Sequence, residues 1–94
     1  MKRILKHALA EVGGEQTIEA HEGCRFLAFR AQRNVPTVWT EEDTDTPKVE
    51  HHFFLAMTGD ECPGPPWHYA GTILIERDAV VLHLYHWHGA KESA

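Results

Sequence analysis

Tyr69-Ala70-Gly71-Thr72-Ile73-Leu74-Ile75-Glu76-Arg77-Asp78-Ala79-Val80-Val81-Leu82-His83-Leu84-Tyr85-His86-Trp87-His88 decides how this chain folds. Two apolar, β-branched runs flank Glu76-Arg77-Asp78-Ala79, the short polar break between them. Two such runs joined by about four polar residues make a β-hairpin with one covered face.

Working outward, residues 49–57 form the next strand, with His51, Phe53 and Leu55 facing one way and His52, Phe54 and Ala56 the other. Residues 24–33 make another, Phe26, Ala28 and Arg30 alternating with Arg25, Leu27, Phe29 and Ala31. Gln32-Arg33-Asn34 turns this strand into residues 35–40, where Pro36 requires an unpaired position or the strand start. At the beginning of the chain Ile4, Lys6 and Ala8 alternate with Leu5, His7 and Leu9, and Gly13-Gly14 ends the run. Residues 16–20 are short and polar, in the manner of a sheet edge. The segment 58–66 holds Gly59, Pro63, Gly64, Pro65 and Pro66 and is a long loop, the kind that carries function. About seven strands without a helical period predict an all-β fold, an antiparallel sandwich or small open barrel.

The chain has 94 residues, which fit one domain with one modest core. We assign the domain to residues 1–88 and a flexible tail to 89–94. No apolar run approaches the roughly 20 residues of a membrane helix. Met1-Lys2-Arg3-Ile4-Leu5-Lys6 opens like a signal peptide, but Glu11, Gly13, Gly14 and Glu15 precede any apolar core, so the chain reads as cytosolic. The two cysteines, Cys24 and Cys62, then read as free thiols. A net charge of −5 with scattered basic residues argues against nucleic acid and acidic membranes as partners.

Eight histidines are the compositional oddity. His86 and His88 lie two apart on a strand and share a face, so they can chelate one metal ion, with zinc the cofactor to test. A third ligand would come from His68, His51 or Cys62, and the plainer reading is surface histidines at a strand end. His51 and His52 are adjacent and cannot chelate together. Neither cysteine has the setting of an activated nucleophile, and Ser93 is the only serine. The stretch Glu41-Glu42-Asp43-Thr44-Asp45-Thr46-Pro47 reads as a solvated loop; its sharper reading is an acidic finger presented to a basic partner. It lacks the glycine and distal glutamate of a calcium loop. Trp39, Trp67, Tyr69, Tyr85 and Trp87 read first as core packing; the sharper reading makes Trp67, in the proline-rich loop, and Trp87, at the strand end, an exposed anchor.

Gly14-Glu15-Gln16-Thr17-Ile18-Glu19, Val35-Pro36-Thr37-Val38-Trp39, Thr58-Gly59-Asp60-Glu61, Tyr69-Ala70-Gly71-Thr72 and Val81-Leu82-His83-Leu84-Tyr85 follow in one order and spacing. Together with Lys2-Arg3-Ile4-Leu5-Lys6 they resemble a family of small proteins encoded by tailed phages and prophages, known by a domain-of-unknown-function label. The resemblance runs over residues 1–85 and brings no catalytic residues with it. The Thr-Gly-Asp-Glu loop lacks the family's glycine–histidine step, and the acidic stretch and His86-Trp87-His88 depart from the pattern. By association it implies an accessory protein, one of the kind that disables host defence machinery.

The expectation is a non-enzymatic binding protein in the host cytoplasm that engages a host protein or complex. Glu41, Glu42, Asp43 and Asp45 would steer a basic partner and Trp67 and Trp87 would anchor it. Two alternatives stand beside it: a metal- or small-ligand-binding protein built on the histidines, and a homo-oligomeric virion or assembly component pairing through its sheet edges.

Overall fold

A computed structural model describes residues 1–10 and 14–87; the tail 89–94 and His88 lie outside the described residues. Seven strands run β1 Lys2–Ala8, β2 Glu15–His21, β3 Arg25–Gln32, β4 Val35–Asp43, β5 Lys48–Met57, β6 His68–Ile75 and β7 Val80–Trp87. They form two antiparallel sheets, one of three strands in the order β1-β4-β3 and one of four in the order β2-β5-β7-β6. The sheets stack as an open sandwich, with β3 against β6 and β2 against β4. No described helix is long and apolar enough to cross a membrane.

The inward columns supply the core: Leu9, Phe29, Val38, Phe53, Leu55, Ile73, Leu82 and Leu84 are buried together between the sheets. Each buried aliphatic or aromatic side chain contributes roughly 1.5–3 kcal/mol relative to exposure. On β5 the alternation puts His51, Phe53 and Leu55 inside, as the pattern requires. On β3 strict alternation fails. A register shift between Phe26 and Ala28 inserts an extra residue, so Phe26 packs edge-on to Phe53 at 5.5 Å while Phe29 is also buried.

Two hairpin tips meet at one end of the sandwich. Arg33 and Asn34 both take positive φ, the two-residue turn whose twist matches the strands it joins. Glu76, Arg77 and Asp78 are left-handed as well, at roughly 1–2 kcal/mol each for a residue with a Cβ. Part of that cost is offset across the tips, where the Glu76 amide donates to Asn34 Oδ1 at 2.6 Å and Asn34 Nδ2 donates to Glu76 Oε2.

At the other end the chain passes from one sheet to the other through residues 44–47. Only part of the expected solvated acidic loop is there: Glu41, Glu42 and Asp43 lie in a strand, while Asp45 is exposed in the turn. β4 continues through Asp43, and the connection is tied down by the Thr46 amide to Asp43 O at 3.1 Å and the Glu22 amide to Pro47 O at 2.8 Å.

Candidate functional site

The outer face of the four-stranded sheet is built from the residues that alternate away from the core. Pairing sets His52 opposite Trp87, Phe54 opposite Tyr85 and Ala56 opposite His83. A second register shift, between Tyr69 and Gly71, brings Tyr69 opposite Tyr85 and Thr72 opposite His83 on this same face. The loop before β6 turns at Gly64, whose carbonyl accepts from the Trp67 amide at 3.1 Å, and lays Trp67 over the sheet.

The rings then contact one another. Trp67 meets Trp87 with centroids 5.6 Å apart and Phe54 at 5.9 Å, both edge-to-face; Trp87 lies 5.0 Å from His52, and Tyr69 meets Tyr85 at 5.8 Å. Edge-to-face pairs add about 0.5–1.5 kcal/mol beyond their buried area. Trp67, Trp87 and Phe54 remain half-buried and Tyr69 is exposed, so the cluster presents apolar surface to solvent. Tryptophan and tyrosine are enriched among the residues that dominate protein interfaces.

Beside the rings lies a cavity of about 220 Å³ lined by Ala56, Thr58, Asp60, Cys62, His83 and Tyr85 with their neighbours. His83 bonds Thr58 Oγ1 through Nε2 at 2.9 Å and Thr72 Oγ1 through Nδ1 at 3.0 Å, and Thr72 in turn bonds the Tyr69 hydroxyl. Tyr85 donates its hydroxyl to Cys62 Sγ at 3.6 Å; that bond, with burial, raises the phenol above its ordinary value, so Tyr85 keeps its proton. Burial and the nearby Glu42 charge push the Cys24 thiol up to about 11. Tyr85 and Cys24 both stay protonated at neutral pH; Cys24 lies away from this cavity, its Sγ 3.8 Å from Nε2 of the buried His51.

The sequence-predicted acids are divided among three places. Glu42 is a correction: its side chain is inaccessible, inside the sandwich, and is not available to a partner. Its Oε1 accepts from the His21 amide at 2.9 Å, and its Oε2 accepts from the Thr40 hydroxyl at 2.5 Å and meets His7 Nε2 at 2.6 Å. Burial alone would push this carboxyl up; the three partners more than offset that and hold it below the usual carboxylate value. Glu41 and Asp43 stand on the outer face of the three-stranded sheet, across the sandwich from Trp67 and Trp87. Glu41 pairs with Arg25 at 3.2 Å, and Asp43 accepts from the Asp45 amide and the Met1 amino group, both at 3.0 Å. Asp45, in the connection, reaches the same amino group at 2.6 Å. Trp67 and Trp87 are brought together; the acids are not brought to them.

Residues 1–94 match the family described as Domain of unknown function (DUF7352). The chain belongs to that family. It matches no curated protein and no solved structure.

For this DUF7352 chain the acids of the aromatic face are other residues. Glu19 stands directly opposite Glu50 on the β2–β5 ladder, and both are exposed. Glu50 shares the outer column of β5 with His52, next to Trp87. Neither carboxylate has an ion-pair partner among the described residues, and Glu15, further along β2, lies 3.9 Å from His52 Nδ1. Glu19 and Glu50 were beyond sequence reasoning because only the register of β2 on β5 sets them face to face. The alternation of residues 49–57 was the available signal for Glu50's side of the strand.

Of the candidate metal pair, His86 turns into the sandwich, its ring 4.2 Å from Phe26 and edge-on to it, and His88 lies outside the described residues. Among the described residues no group of three His, Cys, Asp or Glu side chains is placed to hold a metal ion.

Proposed function

We propose that this DUF7352 chain is a non-enzymatic, phage-encoded accessory protein that binds a basic host protein through the outer face of its four-stranded sheet. The observation that carries the reading is the cluster of Trp67, Trp87, Phe54 and His52, which lies outside the interior core and leaves half-buried rings facing solvent. The Glu19–Glu50 pair beside it supports a basic partner, since two carboxylates opposed on a ladder repel until a cation sits between them. In this reading steering belongs to Glu19 and Glu50, and Trp67 and Trp87 anchor the partner. Phage origin, host cytoplasm and action against a defence complex are supported by the sequence resemblance.

The test is capture of host proteins on immobilised chain, followed by binary titration of whatever is retained. Trp67→Ala with Trp87→Ala is expected to abolish retention, with strand content unchanged by circular dichroism. A truncated hot-spot ring costs at least about 2 kcal/mol, some thirtyfold in affinity. Retention that survives the double substitution removes the face from the proposal. Sedimentation of the chain alone addresses self-association: a dimer lost on the same substitutions assigns the face to a second copy.

A further inference from the structure

The opposite face of the sandwich divides its charges by position. On the outer side of the three-stranded sheet the carboxylates are gathered at one end, where Glu41 pairs with Arg25 and Asp43 with the amino group of Met1. At the hairpin-tip end stand Lys6, Arg30 and Arg33, and among the described residues none of them has an ion pair. An acidic chain thus keeps a local surplus of cations. Two of them, Lys6 and Arg33, line a cleft of about 630 Å³ together with Ala8, Gln32, Val35 and Thr37. Among the described residues no carboxylate lines it. Glu76, on the adjoining hairpin tip, has its carboxylate bonded to Asn34.

The cleft is constructed from three strands and a turn. Lys6 on β1 and Gln32 on β3 flank the central β4, and Lys6 Nζ donates to Gln32 Oε1 at 2.6 Å across it, which fixes the ammonium at the rim. Arg33 sits in the left-handed hairpin turn and supplies the second cation. Arg30 donates to its neighbouring Phe29 carbonyl at 2.9 Å and contributes charge. Ala8 and Val35 make the wall apolar, and the Thr37 hydroxyl is occupied in donating to Val35 O at 2.9 Å. The volume is that of a small-molecule site, where apolar walls and a few placed polar groups set specificity.

We infer that this cleft binds a small organic anion, its phosphate or carboxylate head held between Lys6 and Arg33 and a short apolar body against Ala8 and Val35. A lysine point charge with a guanidinium fork suits either head. The site lies on the other face from the proposed partner surface and stands or falls separately from it.

The experiment is an amide chemical-shift titration of the full chain with inorganic phosphate and, separately, with butyrate, against sodium chloride at matched ionic strength. Saturable shifts at Lys6, Gln32 and Arg33 are expected. Saturation by phosphate assigns a phosphate head, and saturation by butyrate alone assigns a carboxylate. Lys6→Gln with Arg33→Gln, two exposed positions, is expected to weaken the effective probe at least about tenfold, as loss of charge-assisted hydrogen bonds does. Each single substitution should fall in between. Shifts no larger than chloride gives, or equal affinity in the double variant, overturn the inference.

Discussion

Glu42 and the pair Glu19–Glu50 flank the same crossing between the sheets, and the fold treats them in opposite ways. Glu42 has no contact with solvent and three donors: an amide, a hydroxyl and an imidazole. Glu19 and Glu50 have solvent, each other, and no cation among the described residues. A carboxylate taken from water costs several kcal/mol unless it is surrounded by partners, so Glu42 belongs to the architecture. A carboxylate left facing another one lowers stability slightly, and the fold gains nothing from it in return. Charge of the first kind holds the molecule together; charge of the second kind is free for a partner.

The largest effect is expected at Glu42. Glu42→Ala deprives the His21 amide, the Thr40 hydroxyl and His7 of their common acceptor inside the sandwich, and should cost about 3–5 kcal/mol in urea unfolding, the range for one lost partner of a buried pair. For scale, a buried leucine cut to alanine costs about 2–5 kcal/mol. A loss below about 1 kcal/mol would mean that water replaces the carboxylate, and the distinction between the two regions would collapse.

A smaller effect, and a more specific one, is the response to acid. The Glu42 carboxyl is held below its usual value, because its hydrogen bonds outweigh burial. A group depressed in the folded state contributes stability that is complete above the unfolded value of roughly 4.3 and is lost as pH falls through the folded value. Stability should therefore decline below about pH 5 in the native chain. Glu42→Gln cannot titrate; it should be less stable at neutral pH and show a shallower acid decline. Equal slopes in the two proteins would assign the acid sensitivity to other carboxylates.

The hairpin of β6 and β7, the alternation of β5 and the seven strands were legible because period-2 patterning registers burial directly. Glu42 was not. Glu41-Glu42-Asp43 reads as loop because three acids in a row imply solvent, and the donors that bury the middle one come from His7 and His21, 35 and 21 residues away. Phe26 and Phe29 sit on opposite faces by simple alternation; the β3 register shift, which no residue type announces, puts both inside. Trp67 and Trp87 could be named as candidate anchors from their rings alone, but the acids on the same face could not, since Glu19 and Glu50 meet only through strand pairing. The cationic cleft was hidden for the same reason: Lys6 and Gln32 are 26 residues apart and flank a strand that separates them.

The smallest effect discriminates best between the two kinds of carboxylate. Like charges directly opposed on a ladder destabilise by roughly 0.2–1 kcal/mol, so Glu50→Gln should make the chain more stable by about that amount. The direction is the useful part, since most substitutions destabilise. If the pair is kept for a basic partner, the same change should weaken association with the protein retained on the aromatic face and flatten its salt dependence, mainly through a slower on-rate. Stability gained and binding lost in one substitution is the pattern of a surface maintained against the fold's own interest. Stability gained with binding unchanged would leave Trp67 and Trp87 as the whole of the anchor and remove charge from the recognition. Stability lost would mean that Glu50 has a structural partner, and the contrast with Glu42 would be one of degree.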